Sequence, residues 1–120
     1  MNKPEVDNNV NQTRITTVQN YISQHYREDL TLSKLADVVN MAPTSLCHIY
    51  NRYTGQRISD LITETRIQNA KDMLLNTELT VKYIAYECGY STLTNFNRHF
   101  KKLTGYTPTK YRELHPTKKI

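Results

Sequence analysis

Two stretches, residues 43–54 and 92–104, carry the side chains whose types and spacing could do chemistry. Wound as helices at about 100° per residue, each splits into two faces. In the first, Leu46, Ile49, Tyr50 and Tyr53 share one arc, and Thr44, Ser45, Cys47, His48, Asn51 and Arg52 take the remainder. In the second, Phe96, His99, Phe100 and Leu103 form the apolar arc, while Thr94, Asn95, Asn97, Arg98, Lys101 and Lys102 point outward. The outward sets hold short hydrogen-bonding groups and cations, with no carboxylate among twelve positions. Such a face suits a polyanion with readable edges. Arg can bond guanine bidentately and Asn can do the same with adenine, whereas a carboxylate is repelled by phosphate. Residues in the N-terminal half of such a helix reach base edges, which selects Thr44, Ser45, His48, Thr94, Asn95, Asn97 and above all Arg98. Asn51, Arg52, Lys101 and Lys102, further along, are the candidates for phosphate. For any one of these residues, a merely solvated surface position is the competing reading.

Other chemistries find no residues. There is no Ser-His-Asp order, paired-carboxylate arrangement or glycine-rich phosphate loop, the chain having only three glycines. An enzyme is therefore not expected. Cys47 and His48 are adjacent, but no second Cys/His pair stands at ligand spacing, so neither a metal nor any other cofactor is expected. Cys47 and Cys88 are too few and too far apart for a disulfide framework and read as reduced thiols. His99, on an apolar arc, reads as packed and hydrogen-bonded.

The elements that must position the two polar faces repeat. Leu35-Ala36 lead through Asn40 to Leu46, Ile49, Tyr50 and Gly55, and Ile84-Ala85 lead through Gly89 to Phe96, His99, Phe100 and Gly105. The offset is 49 residues before the turn and 50 after it, so one residue has been added inside the second turn. Each copy reads as helix, tight turn, helix. Ala36 and Ala85 fit where two helices cross closely. Gly89 suits a positive φ, and Asn40 is the best-tolerated substitute there, unless both simply mark loops.

A first helix is predicted over about 13–26, with Ile15, Val18, Ile22 and Tyr26 on one buried stripe. Thr31 can cap a second helix through Val39, and Pro43 suits the start of a third that Gly55 ends. A linking helix over 56–75 has Ile58, Leu61 and Ile62 on one face and Ile67, Ala70 and Leu74 nearly opposite, as though serving two cores; at 1.5 Å per residue it would be roughly 30 Å long, comparable to a DNA turn. Thr80 opens a fifth helix, Thr92 a sixth, and Thr107-Pro108 a seventh that ends near Leu114 before Pro116. The fold expected is all-α, with subdomains over 13–55 and 76–115, the linking helix between them, a flexible tail or linker over 1–12 and a C-terminal tail over 116–120.

Composition agrees with a globular chain: 120 residues, 38% apolar and 22% charged. A 50-residue unit alone would bury only a marginal core, which favours two copies leaning on a shared element. No apolar run approaches a membrane span, and the polar, Asn-rich start is unlike a secretory signal, so a cytoplasmic protein is expected. The net charge of +5 is uneven. Residues 81–120 hold eight Lys/Arg against two Asp/Glu, and residues 1–80 eight against nine, which puts the attraction for phosphate in the second copy.

The run Ile84-Ala85, Cys88-Gly89-Tyr90, Phe96, Arg98, Phe100-Lys101-Lys102, Gly105, Pro108, Tyr111-Arg112, with Arg66, Ala70 and Leu74 before it, resembles the DNA-binding domain of AraC/XylS-type bacterial transcription regulators. The resemblance covers about 15–114. It implies seven helices in two homeodomain-like helix-turn-helix subdomains joined by a long helix, reading successive major-groove segments of double-stranded DNA. It further implies a structural rather than DNA-contacting Arg66, RNA polymerase as a partner, activation more often than repression, and in most members a separate sensor or dimerisation domain. Copy one departs from the family pattern at Asn40 for Gly, at Ala42 for a capping Ser, and at Tyr50-Asn51-Arg52 for Phe-Lys-Lys. Two competing readings are a helical protein-interaction module with a basic face, and a DNA-targeting module cut from a larger regulatory or DNA-repair enzyme.

Overall fold

The computed structural model describes residues 3–115, with seven helices and no strand among them. They are α1 (Lys3–His25), α2 (Leu32–Val38), α3 (Pro43–Thr54), α4 (Ile58–Asn76), α5 (Val81–Glu87), α6 (Leu93–Thr104) and α7 (Pro108–Leu114). The C-terminal tail expected over 116–120, and the first two residues of the N-terminal tail, lie outside the described residues. Helix α1 begins ten residues before Thr13. Pro4 falls in its first turn, where a missing N–H is harmless, and no glycine or further proline interrupts the helix after it. Apolar periodicity could not register this extension, because its Asn-rich sequence carries no apolar stripe at helical spacing, and Val10 is exposed.

The chain divides into two units. One comprises the residues up to His25 together with Leu30–Ile62; the other comprises Tyr26–Asp29 together with Thr63 onward. In the first, α1 supplies Ile15, Val18 and Ile22, α2 supplies Leu35 and Ala36, α3 supplies Leu46 and Tyr50, and Ile58, Leu61 and Ile62 of α4 pack on them. In the second, Ile67, Ala70 and Leu74 of α4 join Ile84, Ala85 and Cys88, then Tyr90, Phe96 and Phe100. The first part of α4 thus serves one core and the remainder serves the other. Each fully buried side chain of this size contributes roughly 1.5–3 kcal/mol.

Two residues sit elsewhere than the periodicity predicts. Tyr26 follows the last helical residue of α1 and packs against the second core, not the first. Leu103, expected on the buried arc of α6, is 45% exposed in the last turn.

The turns repeat at the level of single hydrogen bonds. Met41 N donates to Ala36 O at 2.9 Å, and Tyr90 N to Ala85 O at 3.0 Å. Asn40 has φ 55° and Gly89 φ 99°, the left-handed conformation that reverses the chain between helices. Glycine has a second reason at position 89: a Cβ there would lie 2.5 Å from Tyr26 O and 2.8 Å from Arg66 Nε.

Two arginines secure helix ends in parallel fashion. Arg66 donates from Nε to Tyr26 O at 2.9 Å and from Nη2 to Glu28 O at 2.8 Å, just past α1. Arg112 donates from Nε to Leu74 O at 3.1 Å and from Nη2 to Thr77 O at 3.2 Å, at the end of α4. The last turn of α4 and the residues just past the two helix ends thereby gain partners for their carbonyls. Burial holds the Arg66 pKa below its ordinary value, and its guanidinium lies 5.7 Å from the centre of the Tyr90 ring.

Candidate nucleic-acid interface

Helix α3 presents one side of the first unit. Pro43 opens it, Ala42 occupies the N-cap with no side-chain bond, and Gly55 ends it at φ 72°. Leu46 and Tyr50 anchor it in the core, and Gln19 Nε2 donates to the Tyr50 hydroxyl at 3.3 Å. With that side fixed, Thr44, Ser45, His48, Asn51 and Arg52 are all exposed, and Cys47 is half-buried.

Helix α6 is built alike but held more firmly. Its N-cap is Thr92, whose hydroxyl accepts from Asn95 N at 3.2 Å. Phe96 and Phe100 are buried, with Phe96 edge-on to Tyr90 at 5.3 Å and Phe100 edge-on to Tyr111 at 5.3 Å. Thr94, Asn95, Asn97, Arg98, Lys101 and Lys102 are exposed. One pair among them is joined, Arg98 Nη2 donating to Asn95 Oδ1 at 2.7 Å. The i, i+3 spacing is the sequence signal for that contact; it fixes the guanidinium while leaving most of its donors open.

His99 lies behind this face, with Nδ1 2.8 Å from the Tyr90 hydroxyl. Burial pushes the Tyr90 pKa up to about 12, so its hydroxyl keeps its proton at neutral pH and donates. Burial, then the nearby charges of Arg98, Lys102 and Arg66, lower the His99 pKa and favour the neutral ring that accepts. Packing and hydrogen bonding thus account for His99. Burial also pushes the Cys88 thiol up to about 11, which leaves it protonated and unreactive.

The cationic inventory of the two faces differs. Helix α6 shows Arg98, Lys101 and Lys102, whereas α3 shows Arg52 alone. Arg57, which the helical wheel missed because it lies past Gly55, borders the same hollow as Arg52. Among the described residues, no cluster of His, Cys, Asp and Glu is arranged to hold a metal ion. None of the described helices is long and apolar enough to cross a membrane.

Residues 35–114 match the model of a helix-turn-helix domain family. An uncharacterized HTH-type transcriptional regulator of Staphylococcus aureus strain MSSA476 is 34% identical over 107 residues, covering 89% of this chain. The chain spans only 14% of that relative's length. The C-terminal domain of AraT, a response regulator from Geobacillus stearothermophilus, has a TM-score of 0.82 at 33% identity, over 84% of each chain. The DNA-binding domain of AdpA, a global transcriptional factor solved in complex with a target DNA, shares the fold with a TM-score of 0.79 at 21% identity, over 83% of this chain and 90% of that one.

Proposed function

The chain belongs to the AraC-type helix-turn-helix family of DNA-binding transcriptional regulators, and from this membership we propose that α3 and α6 are its recognition helices, each reading duplex DNA in the major groove. The observation that carries the reading is the outer face of α6, where Arg98 is steadied by Asn95 beside Lys101 and Lys102 on a helix without a carboxylate. Thr94, Asn95, Asn97 and Arg98 read bases there, and Lys101 and Lys102 hold phosphates. Thr44, Ser45 and His48 read bases on α3, with Asn51 and Arg52 toward the phosphates. Copy two is the anchor and copy one the weaker reader, since α3 has fewer cations and an uncapped start.

The whole protein acts as a regulator rather than an enzyme, activating transcription through contact with RNA polymerase in the bacterial cytoplasm. Family likeness supports that assignment, the relatives being transcriptional regulators. Its relative is about seven times as long as the matched segment, which supports a sensor or dimerisation domain elsewhere in the protein.

Selection of bound duplexes from a random pool at about 0.15 M salt tests the reading. Two enriched blocks about 10 base pairs apart are expected when both helices read one face of the duplex. A single block would restrict sequence reading to one copy. Folded protein that enriches nothing would replace the DNA reading with a protein-interaction role.

A further inference from the structure

The first unit contains a cavity of about 550 Å³ that the reading of α3 leaves unexplained. Leu30, Leu32, Ile58 and Ile62 give it aliphatic walls, Arg52 and Arg57 stand among its lining residues, and no Asp or Glu borders it. Its volume lies in the range of small-molecule sites, and apolar walls with a few convergent polar groups are the usual composition of such sites. Neither guanidinium has a hydrogen bond or ion pair to another described residue. His48, Asn51 and Arg52 belong both to this lining and to the outward face of α3.

We propose that the cavity binds a small amphiphilic carboxylate, its apolar body against the aliphatic walls and its headgroup on Arg52 and Arg57, and that occupancy withdraws α3 from DNA. The commitment to an anion follows from charge complementarity, since guanidinium matches carboxylate in both charge and geometry. The commitment to an amphiphile follows from the four aliphatic residues, which a small hydrophilic anion would leave wet. Competition follows because the bound headgroup neutralises Arg52 and places negative charge where a phosphate would approach. The competitive half of this inference rests on the proposed role of α3.

Titration of isotope-labelled protein with decanoate, kept below its micelle-forming concentration, tests the site by amide chemical shifts. Decyltrimethylammonium serves as the control of opposite charge. Saturable shifts confined to α3, the start of α4 and the Leu30–Leu32 segment are expected with decanoate and not with the cation. Arg57→Gln, at an exposed position outside the core, should weaken decanoate about tenfold or more with the remaining spectrum intact, and Arg57→Lys should restore part of the loss. Saturating decanoate should also weaken duplex binding about tenfold in the parent protein and far less in Arg57→Gln. Scattered shifts, an equal response to the cation, or decanoate bound without loss of duplex affinity would each overturn the proposal. Failure to bind duplex in the absence of decanoate would instead count against the DNA role of α3, and the shift map of the free protein would still decide the cavity.

Discussion

Arg98 and Asn95 form one hydrogen-bonded pair on the exposed face of α6, Nη2 to Oδ1 at 2.7 Å. A long cationic side chain in water samples many rotamers, and fixing it on binding carries an entropic cost that this bond reduces in advance. Asn95→Ala should therefore relax preference at the base pair read by Arg98 and weaken binding by about 1 kcal/mol. Arg98→Ala should cost about 1–3 kcal/mol at that base pair. In a double-mutant cycle of duplex affinities the two losses should be markedly less than additive. Independent, additive losses at two different base pairs would mean that the Asn95–Arg98 bond does not couple the two residues in reading DNA.

Lys101 has an exposed side chain in the last turn of α6, beyond the half proposed to read bases. Lys101→Ala should weaken all duplexes alike and make the plot of log affinity against log salt shallower by about 0.9. Altered base preference with an unchanged slope would contradict a phosphate role.

Gly89 and Gly105 both have positive φ, at 99° and 86°, but only Gly89 has atoms where a Cβ would go. Gly105→Asn should cost less than about 1 kcal/mol, since Asn tolerates the left-handed region. Gly89→Asn must also displace Arg66 or the Tyr26 carbonyl, and should cost about 3 kcal/mol or more by denaturant unfolding. Equal losses at the two sites would mean that conformation alone decides.

The neutral His99 ring, accepting from Tyr90, makes the second unit sensitive to acid. Its folded pKa lies below the ordinary 6.5, so the unfolded chain binds more protons in the window beneath 6.5. The contribution is complete above 6.5 and is lost as pH falls through that value toward the folded pKa. Urea midpoints should decline as pH falls below about 6.5, and His99→Gln should flatten that decline. An identical slope in the variant would trace the decline to other groups.

Ala42 and Thr92 occupy the same place in the two copies, yet only Thr92 caps its helix. Ala42→Ser should raise stability by about 0.5–1 kcal/mol, and Thr92→Ala should lower it by a similar amount. A null effect of Ala42→Ser would show that water already satisfies the start of α3.

Local features of the fold were legible in the sequence: Gly89 and Asn40 take the positive φ expected of them, and Phe96 and Phe100 are buried as their spacing requires. The division of α4 between two cores could also be read, because one continuous helix carries both apolar sets at regular spacing. Leu103 misled because a wheel gives a direction without saying whether anything stands there. It borders a shallow hollow with Ile67 and Lys71 instead of entering the core. Tyr26 misled in the opposite sense, its spacing continuing the α1 stripe although the helix stops one residue before it. The pairing of Arg112 with Leu74 and Thr77 spans more than thirty residues and left no periodic trace. Of the candidate interface, residue types and exposure could be foreseen, but not the bond that steadies Arg98.

The assignment of Tyr26–Asp29 to the second unit bears on how the protein is made. These four residues leave the ribosome well before Arg66, whose guanidinium later binds the carbonyls of Tyr26 and Glu28. During synthesis this segment must wait, unmatched, while Leu30–Ile62 is completed behind it. Only with the arrival of Gly89, whose bare backbone admits the Tyr26 carbonyl and Arg66, does it acquire its full setting. A truncation that begins at Thr63 therefore retains every helix from α5 onward and still removes part of the second unit, leaving a half-buried cation without its acceptors.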